Sequence, residues 1–314
     1  MKKSYLIILL ALTLCLALCG CSQQAKTEGE GLSVVATMFP AYDFAREIGG
    51  ERVQVTLLVP PGAETHSFEP TAKDMARVQS AALFFCNGGE SEAWVDEILA
   101  SGENINTLKM LDCVEALEEE VREGMQAEEE EEEDEVDGPE YDEHVWTSPK
   151  NAIRICEALC EKLCALDPEG ADYYRERIAA YTAELEALEE SFREIVAQGK
   201  HRTVIFADRF PVRYFVEEYG LDYYAAFPGC AEDTEPSAKT VAYLISKVRE
   251  EGLPAVFYIE FSNQKMADMI CEDTGCAKLL FQSCHNITAD ELRDGASYLT
   301  LMRANADALK EALG

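Results

Sequence analysis

From Leu32 onward the sequence alternates short β-rich runs with amphipathic helical stretches, pauses at one long helical segment, and then alternates again. Residues 33–38, 53–59 and 82–86 read as strands, with 42–48, 72–80 and 92–100 as the helices between them. After the long segment, 203–207, 255–260 and 278–281 read as strands, and 211–219, 237–251 and 264–274 as helices, with a last helix at 298–313. Strands and helices taken in turn form βαβ units, and such units build parallel sheets. The long segment, 168–198, is rich in Ala, Glu, Leu and Arg. Pro168 lies near its start and Gly199 just past its end, the pattern of one unbroken helix. The expected fold is therefore α/β, with two lobes that each carry a parallel sheet flanked by helices. One long rigid linker helix joins them. The expected boundaries are 32–167 for the N-terminal lobe, 168–199 for the linker and 200–314 for the C-terminal lobe.

The first 31 residues do not fit this alternation. Lys2 and Lys3 precede a fourteen-residue apolar stretch at 5–18, short for a bilayer span and suited to the centre of a secretory signal. The stretch closes on Leu18-Cys19-Gly20-Cys21, which resembles a bacterial lipobox. Residues 1–20 are accordingly expected to be a signal peptide, Cys21 the lipidated residue, and 22–31 a flexible tether.

The formal charge is −33, which becomes −35 once Lys2 and Lys3 are removed with the signal. A body this acidic repels nucleic acid and anionic headgroups and attracts cations. Sixteen of the 60 acidic residues fall between Glu118 and Glu143, so much of the imbalance is one local insert. Its run at 128–133 is all glutamate, repels itself, and reads as a mobile loop. Nine of the 12 cysteines lie beyond the lipobox. Their odd number and irregular spacing argue against a disulfide framework. Cys156, Cys160 and Cys164 recur at helical spacing and are expected to face a core.

Only four histidines are present, and two stand in strings suited to holding a metal. His66 lies in Pro60-Pro61-Gly62-Ala63-Glu64-Thr65-His66-Ser67-Phe68-Glu69-Pro70, directly after a predicted strand. His144 lies in Asp142-Glu143-His144-Val145-Trp146-Thr147-Ser148-Pro149-Lys150-Asn151, directly after the acidic run. Neutral imidazole is a good ligand for divalent zinc, and loops beside regular elements are where α/β folds assemble sites.

Together with Glu235-Pro236-Ser237-Ala238, these strings resemble the solute-binding lipoproteins that feed zinc or manganese to ABC importers. That is the helix-linked, cluster A-I class of the zinc-uptake periplasmic-binding-protein family. Asn87-Gly88-Gly89 and Tyr298-Leu299 with Met302-Arg303-Ala304-Asn305 add weaker matches, and the acidic insert before His144 is a further family feature. The resemblance covers nearly the whole mature chain.

The resemblance implies that His66 and His144 are metal ligands from the first lobe. The family's third ligand follows the first strand of the second lobe and is most often histidine, or a carboxylate in manganese-type members. Here the position is Asp208, which alternatively caps the next helix or pairs with Arg209. The fourth is usually an aspartate after the last strand, but this chain reads Leu280-Phe281-Gln282-Ser283-Cys284-His285-Asn286. His285 is the expected replacement. Cys284, which could equally pair with Cys230, and Glu260 are the alternatives. His201 has no role in the family and reads as solvated.

The implied function is extracytoplasmic capture of Zn2+, with Mn2+ as the alternative, and delivery to an ABC-transporter permease. The protein would be a monomer held at the membrane by the lipid on Cys21, with no nucleic-acid partner and no bond chemistry. Three rivals stay open, one of them an adhesion role. A metal-dependent hydrolase would cast Glu64 or Glu260 as general base, although no His-Glu-x-x-His string, nucleophile elbow or phosphate loop is present. A receptor for haem, siderophore or cobalamin would need a wide apolar cleft.

Overall fold

Alternate residues of the first strand, β1 (Leu32–Ala36), enter different buried clusters: Val34 and Ala36 one, Val35 the other. The same alternation divides β3 (Leu83–Cys86), with Leu83 and Phe85 on one face and Phe84 and Cys86 on the opposite face. A strand buried on both faces must lie in a sheet covered by helices on both sides. The computed structural model has that architecture; it describes residues 31–63, 68–100, 105–126, 140–231 and 237–314. Leu32–Gly314 forms one compact unit, and of the unit before it, Met1–Gly31, only Gly31 is described. The signal, Cys21 and nearly all of the tether therefore lie outside the described residues.

The first sheet adds β2 (Val53–Leu57) and β4 (Thr107–Lys109) in the order β2-β1-β3-β4, all parallel. The second contains β5 (Thr203–Arg209), β6 (Asp222–Phe227), β7 (Ala255–Tyr258) and β8 (Ala277–Leu280), again parallel, in the order β6-β5-β7-β8. The two lobes thus repeat one topology. In both, the first strand of the lobe is central, and ligands of such sheets gather beyond the carboxyl ends of the strands.

Helices α1 (Phe39–Gly49), α2 (Ala72–Ser80) and α3 (Ala93–Ala100) belong to the first lobe. The second carries α6 (Arg213–Tyr219), α7 (Ala238–Glu251), α8 (Lys265–Thr274), α9 (Ala289–Arg293) and α10 (Tyr298–Leu313). Between them come α4 (Pro149–Leu166) and the linker α5 (Ala171–Gln198), whose 28 residues follow a 3-10 turn at Pro168–Gly170. At 1.5 Å per residue the linker is about 42 Å long. Ser148 caps α4 by accepting from Asn151 N, with Pro149 in the first turn where no hydrogen bond is lost.

The linker is fixed at its start by a charged knot. Arg52 Nε and Nη2 donate to Asp167 Oδ2 and Oδ1 at 2.8 and 2.9 Å, and Tyr174 OH donates to Asp167 Oδ2 at 2.8 Å. One buried cluster runs from Val34 and Phe44 through Tyr181, Leu185 and Phe192 of the linker to Phe206 and Phe257. The lobes share this core. Cys156 and Cys160 are buried in it and Cys164 packs against it, as the helical spacing predicts. Among the described residues no helix is long and apolar enough to cross a membrane.

The structure corrects the expected pattern in two places. β4, β6 and the short α9 are absent from the sequence reading. β4 has only three residues, and in β6 (Asp-Tyr-Tyr-Ala-Ala-Phe) the strand-favouring aromatics are diluted by an aspartate and two alanines. The flanks of the acidic insert also carry structure that the sequence pattern does not predict: Glu118 bridges Tyr141, and Gln126 N donates to Ala226 O at 2.8 Å. The Arg122 guanidinium stacks 3.8 Å from the Tyr223 ring centre, so residues 118–126 are built onto the second lobe. The glutamate run 128–133 lies outside the described residues.

Candidate metal centre

His144 is fully buried, and its surroundings fix its ring. Asp142 Oδ1 accepts from the His144 backbone N at 2.8 Å and lies 3.2 Å from Nδ1. A carboxylate in that position requires the proton on Nδ1, which leaves Nε2 as the nitrogen with the lone pair. Burial pushes the His144 pKa down. The charge and hydrogen bond of Asp142, with the charges of Glu143 and Glu119, outweigh it and hold the value above 6.5.

The turn that carries His144 is gripped from both lobes. Asn87 Nδ2 donates to Glu143 O at 2.9 Å, and Tyr214 OH of α6 donates to Asp142 O at 2.7 Å. Asn87 and Gly88 in turn donate their backbone N–H groups to Glu92 Oε2, both at 2.8 Å. Burial raises the Glu92 pKa to about 7 against these donors. The glycines of the Asn87-Gly88-Gly89 motif have a steric reason. Gly89 sits at φ 97, and a Cβ there would come within 2.4 Å of Glu143 Oε1.

His285 comes from the opposite lobe, on the loop after β8. Its ring stands perpendicular to that of His144 with centres 5.2 Å apart, and both rings contact Trp146. Cys284 before it adopts φ 60, a left-handed conformation that a non-glycine residue holds only when its surroundings enforce it. Glu260 supplies that constraint. Its oxygens accept from Ser283 N at 2.7 Å, Ser283 Oγ at 2.5 Å and His285 N at 3.2 Å. Trp146 Nε1 donates to Ser283 O at 2.8 Å, which ties the two histidine loops together from behind.

His144, His285, Glu260, Arg209, Ala63 and Asn286 are among the residues lining one pocket of about 350 Å³, its open mouth included. Asp208 does not line it, although its neighbour Arg209 does. The Asp208 carboxylate is buried at the end of β5, where the register with β6 shifts between Phe206 and Arg209. Oδ1 accepts from Arg209 N at 2.9 Å, while Oδ2 makes no hydrogen bond of ordinary geometry. Burial raises the Asp208 pKa against the opposing pull of Ser262 and nearby backbone donors.

The structure thus brings His144 and His285 together and leaves Asp208 one residue away from the pocket wall. Among the described residues, no group of three His, Cys, Asp or Glu side chains is close enough to hold a metal. His66 lies outside the described residues, as do Glu235 and Pro236; Ala63, three positions before His66, lines the pocket. Of the alternatives to His285, Glu260 already accepts three hydrogen bonds, and burial pushes the Cys284 thiol well up, against the thiolate. Cys230 and Cys284 are both free thiols. The sequence reading missed Asp142, Ser283 and Asn286. Asp142 was camouflaged by the acidic run, and the other two act through a fold-level juxtaposition that no local pattern signals.

Comparison with known proteins adds a separate line of argument. The family description "zinc-uptake complex component A periplasmic" matches residues 34–312. The chain is 31% identical over 320 residues to the high-affinity zinc uptake system protein ZnuA of Bacillus subtilis, covering 99% of this chain and 98% of that protein. It is 30% identical over 317 residues to the zinc-binding lipoprotein AdcA of Streptococcus pneumoniae, covering 99% of this chain but 61% of the relative. The chain therefore spans about three-fifths of that relative's length. The Zn(II)-bound ZnuA-like domain of Streptococcus pneumoniae AdcA has a similar structure, with a TM-score of 0.75 at 27% identity over 90% of this chain and 99% of that one.

Proposed function

The chain belongs to the zinc-uptake complex component A family, and from that premise we propose that it captures zinc between its two lobes and delivers it to an ABC importer. The observation that carries the reading is the meeting of His144 and His285 from opposite lobes in one small pocket. In the proposed site His66 and His144 hold the ion from the first lobe, and His285 and Asp208 from the second. Three imidazoles and one carboxylate make a four-ligand set typical of zinc. No bond chemistry is involved: zinc is cargo, and the permease is the partner.

Manganese is the second reading, because a carboxylate stands at position 208 where a zinc site more often has imidazole. The Irving–Williams order favours zinc at a site this rich in nitrogen. A hydrolase finds less support, since Glu260, the described candidate for general base, is engaged by three donors. The proposed setting is extracytoplasmic. The signal at 1–20 is removed, lipid on Cys21 anchors the monomer, and 22–31 is the tether. The lobe boundaries of the sequence reading, 32–167 and 200–314 about the linker 168–199, are kept.

The test offers the purified metal-free protein equimolar zinc and manganese and counts the metal bound per chain. One zinc per chain is expected, abolished by His144→Ala, with Asp208→His raising the preference for zinc over manganese. Retention of manganese in preference to zinc would move the protein to the manganese reading. Undiminished binding by His144→Ala would remove the site.

A further inference from the structure

Asn286 follows His285 directly, and its side chain leaves its own lobe. Nδ2 donates to two carbonyl oxygens of the first lobe, Pro60 O and Ala63 O, both at 2.9 Å. Oδ1 accepts from Ile287 N at 2.8 Å, which fixes the amide so that its NH2 group must face the other lobe. Asn286 is 3% exposed, whereas Pro60 is exposed and Ala63 half-buried, so the donor end of these bonds is enclosed and the acceptor end reaches the surface. Both carbonyls belong to one tight turn, closed by Ala63 N donating to Pro60 O at 3.0 Å.

Each end of this bridge has a stiff root. The turn at 60–63 grows out of the first sheet, where Leu58 N and Val59 N donate to Ala36 O and Thr37 O at 2.9 Å each. On the other side, Gln282 N donates to Asn305 Oδ1 at 2.7 Å and Asn305 Nδ2 returns a bond to Gln282 O at 2.8 Å, while Glu260 holds Ser283 and His285. Ala63 and Asn286 line the same pocket as the two histidines. A separate buried bond, Trp146 Nε1 to Ser283 O, ties the loop of His285 to the turn of His144 and does not involve residues 60–63.

We propose that Asn286 is a positioning residue: a clasp across the cleft that ties the turn at 60–63 to the loop bearing His285 and sets the rate at which the metal leaves. This rests on the metal-receptor reading above and assigns it a release-controlling element. A side chain of similar size without N–H donors leaves both carbonyls to water and unties the pocket wall. The first-lobe strand and the second-lobe loop keep their own internal bonds. The consequence is faster dissociation of the ion, with the metal-free fold little changed.

The experiment loads the full chain with zinc, chases it with an excess of a chromophoric chelator, and compares the wild type with Asn286→Leu and Asn286→Ala. Release about tenfold faster is expected in both variants. That is the factor corresponding to 1.4 kcal/mol, on the scale of one or two neutral hydrogen bonds. Hydrogen exchange of the Gly62 and Ala63 amides in the metal-free protein should rise in the same variants, while Leu58 and Val59 and the metal-free unfolding midpoint stay close to wild type. Wild-type release rates in both variants would overturn the clasp. So would a metal-free unfolding midpoint that falls in step with faster release, since that is the mark of a general structural defect. A wild-type chain that holds no zinc would overturn the receptor reading and the clasp with it, which separates the two failures.

Discussion

The carboxylate of Asp142 decides what His144 can do. Its acceptance of the Nδ1 proton places the lone pair on Nε2 and keeps the ring from rotating. Loss of an outer carboxylate behind a ligating imidazole costs about 10–100-fold in metal affinity. Asp142→Asn keeps the size and one acceptor oxygen but lets the amide turn its NH2 to the ring. Its zinc affinity, measured by chelator competition, should fall within that range while the far-UV spectrum is unchanged. Wild-type affinity would mean that the ring is oriented by something else. Glu260 plays a comparable part for His285, acting through the backbone of the loop.

The joint between α1 and α10 predicts a dependence on pH. Asp43 of α1 is buried, and its Oδ2 accepts from Tyr298 N at the start of α10 at 2.8 Å, across 255 residues of chain. Burial, with a smaller push from Glu47, raises its pKa from 3.8 to about 7, against the pull of Tyr298 N–H and Arg46. The folded state therefore holds a proton that the unfolded chain gives up from pH 4 upward. The contribution of Asp43 to stability is fully present below about pH 4 and is lost as the pH rises through 7, on the order of 4 kcal/mol in all. Asn at this position keeps an acceptor for Tyr298 N and removes the titration. Asp43→Asn should flatten the fall of the urea midpoint between pH 5 and 8; an unchanged slope would exclude Asp43 as its source.

Legibility followed local pattern at this same scale. β1, β3 and the linker were plain from periodicity and capping, and Cys156 and Cys160 face the core as their spacing implies. β6 was not, because its strand-favouring Tyr223, Tyr224 and Phe227 are diluted by Asp222 and two alanines with no clear alternation, and its place is secured by pairing beside β5. The placing of His144 and His285 on loops beside regular elements was legible from the sequence. Their meeting, and the parts played by Trp146, Ser283 and Asn286, depend on packing between lobes more than 130 residues apart in sequence.

At the scale of the whole molecule, the two lobes are joined by more than the linker. Beside the continuous core, Tyr298 OH donates to Trp146 O at 2.7 Å, Tyr214 OH to Asp142 O at 2.7 Å, and Trp146 Nε1 to Ser283 O at 2.8 Å. Opening widely about a hinge would break all of these together, so release should proceed by small shifts and local loop movement. Small-angle scattering of zinc-loaded and metal-free protein should give radii of gyration equal to within ~1 Å; a difference of several ångströms would show a hinge. The most direct test of the central claim is the zinc K-edge absorption spectrum of the loaded protein, which reads the ligand atoms themselves. A four-coordinate ion with three imidazole nitrogens and one carboxylate oxygen is expected from His66, His144, His285 and Asp208. A sulfur neighbour, or a shell with fewer than two imidazoles, would contradict it.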